Sequence, residues 1–209
     1  MKFILKALLF IGGIYILAIG IVLSDVAGLG ISPASAPPYA LTYVFDIGVG
    51  KFFTYFALFY VIIQLFILRS KFPKFQYFQI FFGVVLGFFI TLATNMTANL
   101  PVGIIYAIIY SLVSVLMIAL GVVLIIIVDF VYPPLEGMQK AMAEALDVPI
   151  AKVKVPIDTL HLMFALVVSL IYTKSLGVIG IGTFFQAVAV GICVQYLLNK
   201  LTPIIKKVI

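Results

Sequence analysis

Six apolar stretches, roughly residues 5–24, 52–68, 77–94, 101–128, 156–173 and 178–198, leave this chain little room for any other organisation. A helix needs about 20 mainly apolar residues to cross a hydrocarbon core about 30 Å thick. The fourth stretch exceeds that need, which predicts a tilted helix or one that extends past one face. A β-barrel would need strict apolar/polar alternation, and the run from Leu120 to Val128 shows none. Composition agrees: 65% of residues are hydrophobic and only 10% charged, whereas a soluble domain is about 25% charged because its surface meets water. A soluble enzyme, a secreted disulfide scaffold and a disordered chain are thereby excluded. The single Cys193 leaves no intramolecular disulfide and no multi-cysteine zinc site. The first stretch follows Met1-Lys2-Phe3-Ile4-Leu5-Lys6 and imitates a signal peptide. Its apolar region is too long for one and no small-x-small cleavage site follows, so it is expected to be retained.

The charges orient the spans. With the N-terminus in the cytoplasm, Lys2, Lys6, Arg69, Lys71, Lys74, Lys140, Lys152, Lys154, Lys200, Lys206 and Lys207 fall inside, and only Lys51 and Lys174 fall outside. Eleven against two follows the positive-inside rule. The expectation is a multi-pass membrane protein with both termini cytoplasmic. The net charge of +6 then faces anionic lipid, and no nucleic acid need be invoked.

The chain also resembles itself at an offset of 101. Gly20-Ile21-Val22-Leu23 matches Gly121-Val122-Val123-Leu124, and Pro33, Ala40, Asp46 and Lys51 meet Pro134, Ala141, Asp147 and Lys152. After a small insertion, Gly83-x-x-x-Gly87 meets Ala187-x-x-x-Gly191. Two repeats follow, about 1–100 and 101–209, each with three spans, so the halves are expected to be inverted as in many transporters and channels. Each half has a connector after its first span. Ser32-Pro33-Ala34-Ser35-Ala36-Pro37-Pro38 leads into Tyr39–Phe45, with Ser before Pro as a helix-start signature. The other is Tyr132-Pro133-Pro134 followed by Leu135–Leu146, amphipathic with Leu135, Met138, Met142 and Ala145 opposite Glu136, Gln139, Lys140 and Glu144. Both fit a short re-entrant helix or an interfacial one. The fold class is therefore an all-α polytopic membrane protein: six transmembrane helices in two inverted three-helix repeats, with these connector helices between.

Gly28-Leu29-Gly30-Ile31-Ser32-Pro33 resembles the Leu-Gly-x-Ser-Pro signature of the YczE/YitT-like bacterial integral membrane proteins. Asp129 before Pro133-Pro134, Lys152-Val153-Lys154 followed by Asp158, and Gly182-Thr183 with Gly191 extend the similarity over about residues 14–198. Ala34 and Ser35 stand where many of those proteins have Trp and Asp. The resemblance implies a membrane fold and a bacterial cytoplasmic membrane, and says little of activity.

Ionisable groups in spans cost about 2.5–3.5 kcal/mol each at a helix centre on insertion scales, so they mark candidate sites. Asp158 and His161 lie three apart in the fifth span, on one face, where a carboxylate beside an imidazole can take up and release a proton. The alternative makes Asp158 a cap after Pro156 and His161 a packing residue. Asp25 and Asp129 close the first and fourth spans. Ser32, Ser35, Gln79, Thr183 and Gln186 are the candidate lining of a polar, substrate-binding cavity, and the Gly83/Gly87 and Ala187/Gly191 pairs are helix-packing seams. If the Ser32 connector enters the membrane, its N–H groups favour an anion or a carbonyl-bearing solute. One cysteine and one histidine far apart make no catalytic constellation, and no nucleotide fingerprint is present, so no enzyme, cofactor or metal is expected. The functional expectation is a small-solute transporter with its site at the repeat interface, Asp158 and His161 coupling protons. A substrate-capture subunit of an energy-coupling importer and a non-transporting regulatory or structural protein are the alternatives. Membrane lipid is the expected partner, and a homo-oligomer stays open.

Overall fold

A computed structural model describes residues 2–207; Met1, Val208 and Ile209 lie outside the described residues. The described residues form eight α-helices and no strand: α1 Lys2–Val26, α2 Ala36–Leu41, α3 Val49–Leu68, α4 Phe78–Thr97, α5 Ile104–Val128, α6 Pro134–Leu146, α7 Ile150–Thr173 and α8 Ile181–Ile205. Six of them (α1, α3, α4, α5, α7 and α8) are long and apolar enough to cross a bilayer, which suggests a multi-pass membrane protein.

The predicted boundaries hold to within a few residues at most ends, and the departures have physical causes. The long fourth stretch becomes a helix only from Ile104, because Pro101 and Gly103, the latter at φ +141°, belong to the preceding turn. The fifth span begins at Ile150 and contains Pro156, so proline does not start it. A proline inside a membrane helix is tolerated when its surroundings re-satisfy the freed carbonyl. Asp158 therefore sits in the third turn of α7, and the reading of it as a cap fails. The first connector is shorter than expected. Its helix starts after Ser35, carries Pro37 and Pro38 in its first turn, and ends at Leu41.

The helices fall into two compact units. Unit 1 contains the chain up to Ser32, Phe89–Phe130 and the segment from Val178 onward; unit 2 contains Pro33–Phe88 and Val131–Gly177. Each unit thus draws on both halves of the sequence. In unit 1, α1 packs along α5. A Cβ added at Gly20 would lie 2.7 Å from the Ile118 backbone nitrogen, one at Gly121 would lie 2.6 Å from that of Leu17, and one at Gly13 would approach Ile125 Cγ1 to 3.1 Å. Contacts that climb α1 descend α5, so the two helices run antiparallel with their backbones nearly touching. Ile14, Ala18, Ala119 and Val123 fill the seam and are fully buried. Small residues achieve this because dispersion between close backbones is what lipid cannot supply.

In unit 2, α6 packs on α3 and α7, and α2 packs on α7 and α3. Tyr60, Leu135, Met138, Ala143, Val153 and Ile157 form its apolar core. The amphipathic reading of α6 is only partly met: Leu135 and Met138 are buried as expected, but Gln139 is buried too and Ala145 is exposed.

Gly121→Ala should lower stability by about 1–3 kcal/mol through overpacking against backbone atoms that cannot yield. Gly12, whose added Cβ would meet nothing within 4 Å, should accept alanine without loss. Thermal unfolding of the two variants in detergent checks the contrast.

Candidate functional site

Unit 1 holds one polar network and unit 2 holds two. In unit 1 the Gly28–Ser32 loop lies on the start of α8. Gly182 N–H donates to the Leu29 carbonyl at 2.6 Å, and Ile31 N–H donates to the Val178 carbonyl at 3.1 Å. Gly30, at φ +105°, makes this approach possible: a Cβ there would lie 2.9 Å from Gly180 Cα and 2.6 Å from Thr183 Oγ1. Thr183 accepts the Gly180 N–H at 3.2 Å and so caps its own helix. Gln186 donates through Nε2 to Ser24 Oγ at 2.5 Å and to the Gly30 carbonyl at 3.2 Å. Its Oε1 is buried and has no hydrogen-bond partner among the described residues.

Unit 2 contains an amide clasp. Gln64 on α3 and Gln79 on α4 donate to each other's Oε1, at 2.7 and 3.0 Å. Gln64 Nε2 also reaches the Pro134 carbonyl in the first turn of α6 at 3.1 Å and the Tyr60 carbonyl at 3.2 Å. Gln79 Nε2 donates to Gln76 Oε1 at 2.8 Å. Gly137 leaves room for the clasp, since a Cβ there would come within 2.8 Å of Gln64 Oε1 and 2.9 Å of Gln79 Nε2.

Beside the clasp, ionisable groups from α3, α6 and α7 gather. Asp158 is half-buried and paired: Lys154 Nζ stands 2.6 Å from Oδ2, and Gln139 Nε2 donates to Oδ1 at 3.5 Å. One turn further along α7, His161 Nε2 lies 3.1 Å from the hydroxyl of the buried Tyr60. The imidazole's Nδ1 is buried without a hydrogen-bond partner among the described residues. Glu136, in the first turn of α6, is half-buried. Burial holds its carboxyl above the ordinary glutamate range; its own backbone N–H and Lys154 oppose this, and Asp158 adds to it.

One face of α7 carries these groups in sequence. Lys154, Asp158, His161, Ala165 and Ser169 recur at helical spacing. Ala165 and Ser169 are fully buried, and Ser169 Oγ, like His161 Nδ1, has no hydrogen-bond partner among the described residues. At 1.5 Å per residue the stripe spans about 22 Å, most of a bilayer core.

The expected site residues are thus distributed. Ser32, Thr183 and Gln186 belong to unit 1, and Ser35, Gln79, Asp158 and His161 to unit 2. Asp158 and His161 do share a face, but their hydrogen bonds run to Lys154 and Gln139 and to Tyr60, not to one another. Ser35 is buried at the start of α2 and makes no side-chain cap there. Tyr60 and Gln64 were not singled out from the sequence, and Glu136, Gln139 and Lys154 entered it only as the polar face of α6 and as part of the basic Lys152–Lys154 run. Gln64 was the accessible signal, as an amide within an apolar span.

Gln79→Ala should cost about 1–3 kcal/mol by leaving the buried Oε1 of Gln64 without its donor, and Gly137→Ala should destabilise by wedging the clasp apart; both are read as melting temperature in detergent. Glu136 supplies a pH test. Its raised carboxyl lets the folded chain keep a proton that the unfolded chain releases, so stability should fall as pH rises from the ordinary glutamate range through the raised folded value. Melting temperature followed from about pH 4 to 8 should slope less in Glu136→Gln than in the parent.

No curated protein and no solved structure matches the chain. A family model does: the chain belongs to DUF6198, a family of unknown function, which it matches over residues 4–199.

Proposed function

We propose that this protein is a small-solute transporter of a bacterial cytoplasmic membrane, not an enzyme, in which proton movement at Asp158 and His161 accompanies solute movement. The observation that carries this reading is the polar stripe of α7, with two buried polar atoms that lack hydrogen-bond partners among the described residues. In hydrocarbon such atoms are costly, and polar faces inside a membrane protein serve water, ions or solutes. Protonation of Asp158 would weaken its hold on Lys154 and Gln139, while His161 can exchange a proton at Nδ1 and keep Tyr60 at Nε2. The solute would be a small polar molecule able to pair with Nδ1 of His161; anions and carbonyl-bearing compounds remain the first to try.

An inverted repeat supports the reading further. The antiparallel contacts Gly20–Ile118 and Leu17–Gly121 exchange with one another under the 101-residue offset. Helix α3 meets α6 as α7 meets α2, and Tyr60 bonds to His161, its own counterpart 101 residues on. The cluster therefore stands where the two sequence halves meet, as expected of a transporter site. The YczE/YitT-like resemblance and cytoplasmic termini belong to the same proposal, as does re-entry of α2 and α6. A capture subunit is less favoured because Gly13 and Gly20 of the first span are occupied by α5.

The test is reconstitution into liposomes loaded with a pH-sensitive dye and exposed to a panel of organic anions, carbonyl compounds and neutral polar solutes. At least one solute should move protons, and Asp158→Asn and His161→Gln should each reduce that rate roughly tenfold or more, with Tyr60→Phe milder. Equal dye signals from protein-containing and empty liposomes over the whole panel would overturn the proposal.

A further inference from the structure

The turn between α3 and α4 is built unlike an ordinary connector. Arg69 ends α3 in a positive-φ conformation (φ +48°), and two 3₁₀ turns, Arg69–Lys71 and Lys74–Tyr77, follow. Two side chains fix it from within. Phe72 is buried and meets Tyr77 edge-on at 5.0 Å. Gln76 Oε1 accepts from Gln79 Nε2 and, at 3.4 Å, from the backbone N–H of Tyr132. The outer surface consists of exposed Arg69, Lys71 and Lys74 set among exposed Phe75, Tyr77 and Phe78.

These cations are uncompensated. The sequence has no Asp or Glu between Asp46 and Asp129, and among the described residues no carboxylate lies within ion-pair distance of the three. A turn joining two membrane spans must lie at a bilayer face, where aromatic rings sit at headgroup depth and basic side chains meet lipid phosphate. Arginine in particular can take a phosphate with two donors in one plane. A loose loop would present this chemistry only on average; here the inward Phe72 and Gln76 fix the turn whose exposed side chains are these cations and rings.

We infer that the Arg69–Phe78 turn is a binding site for the headgroup of an anionic phospholipid, the cations holding its phosphate and Phe75, Tyr77 and Phe78 lying against its acyl–glycerol region. It depends on α3 and α4 being membrane spans and is independent of transport.

Native mass spectrometry of the full chain in neutral detergent, with phosphatidylglycerol and phosphatidylcholine at equal concentration, tests it. The phosphatidylglycerol adduct should exceed the phosphatidylcholine adduct roughly tenfold. Arg69→Gln/Lys71→Gln/Lys74→Gln should bring the ratio close to one, whereas Lys206→Gln/Lys207→Gln should leave it unchanged. Arg69→Lys/Lys71→Arg/Lys74→Arg should retain the preference, and Lys71→Gln alone should reduce it, so the test survives poor folding of the triple neutral variant. Glycerol phosphate in place of lipid should give no adduct. Equal adducts in the parent protein, a preference that survives the neutral triple change, a preference lost with Lys206 and Lys207, or binding of glycerol phosphate as strong as that of lipid would each overturn the inference.

Discussion

Hydrocarbon offers no partner to an N–H or a C=O, and each one stranded there costs several kcal/mol. Helices settle most of that demand internally, but wherever this chain breaks or turns a helix the demand returns, and specific residues meet it. The start of α8 is met by the Leu29 carbonyl, brought close by Gly30. The first turn of α6 is tied through its Pro134 carbonyl to the amide of Gln64, which also closes the clasp with Gln79. Glycine and glutamine recur at these points for complementary reasons: one lets backbones approach, the other carries a donor and an acceptor to a backbone that cannot be approached.

The same constraint explains what was legible in the sequence. A span is a local property, so six apolar stretches located α1, α3, α4, α5, α7 and α8 with errors of a few residues. Pro156 misled because proline starts helices in water more readily than it sits within them, whereas a membrane bundle accepts it inside. Boundaries depend on such context, while hydrophobicity does not.

The site was legible only where residues lay on one helix. Asp158 and His161 share a face of α7 by spacing alone, and that spacing was sufficient to find them. Lys154, four residues before Asp158 on the same helix, is readable in the same way, whereas Tyr60 and Gln139 acquire meaning only when α3 and α6 are brought to α7. Gln139 was assigned to a solvated face by the amphipathic pattern of α6, yet it is buried because Asp158 offers it an acceptor. Gln79 was noticed as one polar residue; its counterpart Gln64, fifteen residues earlier on the neighbouring helix, is what makes it a satisfied pair. Tyr60 and His161 also stand 101 residues apart in the sequence, and they meet in a 3.1 Å contact that only the fold reveals.

Comparison of the two networks separates support from function. The Gln64–Gln79 clasp uses both oxygens and both amide nitrogens within the protein, so it has nothing left to offer a ligand and serves the turn that it secures. The face of α7 is different in kind. Its first group, Lys154, is half-exposed and near a helix end, where a long side chain can reach water. Asp158 is more buried and held by two partners, His161 has one ring nitrogen engaged and one not, and Ser169 has no partner for its hydroxyl. Along α7 the engaged groups thus lie toward the N-terminal end, and those without a hydrogen-bond partner among the described residues lie at its middle and near its C-terminal end. Gly177, at φ +56°, closes over Ser169 so tightly that a Cβ there would lie 2.6 Å from the serine's Cβ, so the far end of the stripe is shaped by backbone and not by bulky apolar side chains. A helix designed only to pack would fill that face with leucine; this one keeps hydrogen-bonding capacity where lipid cannot use it.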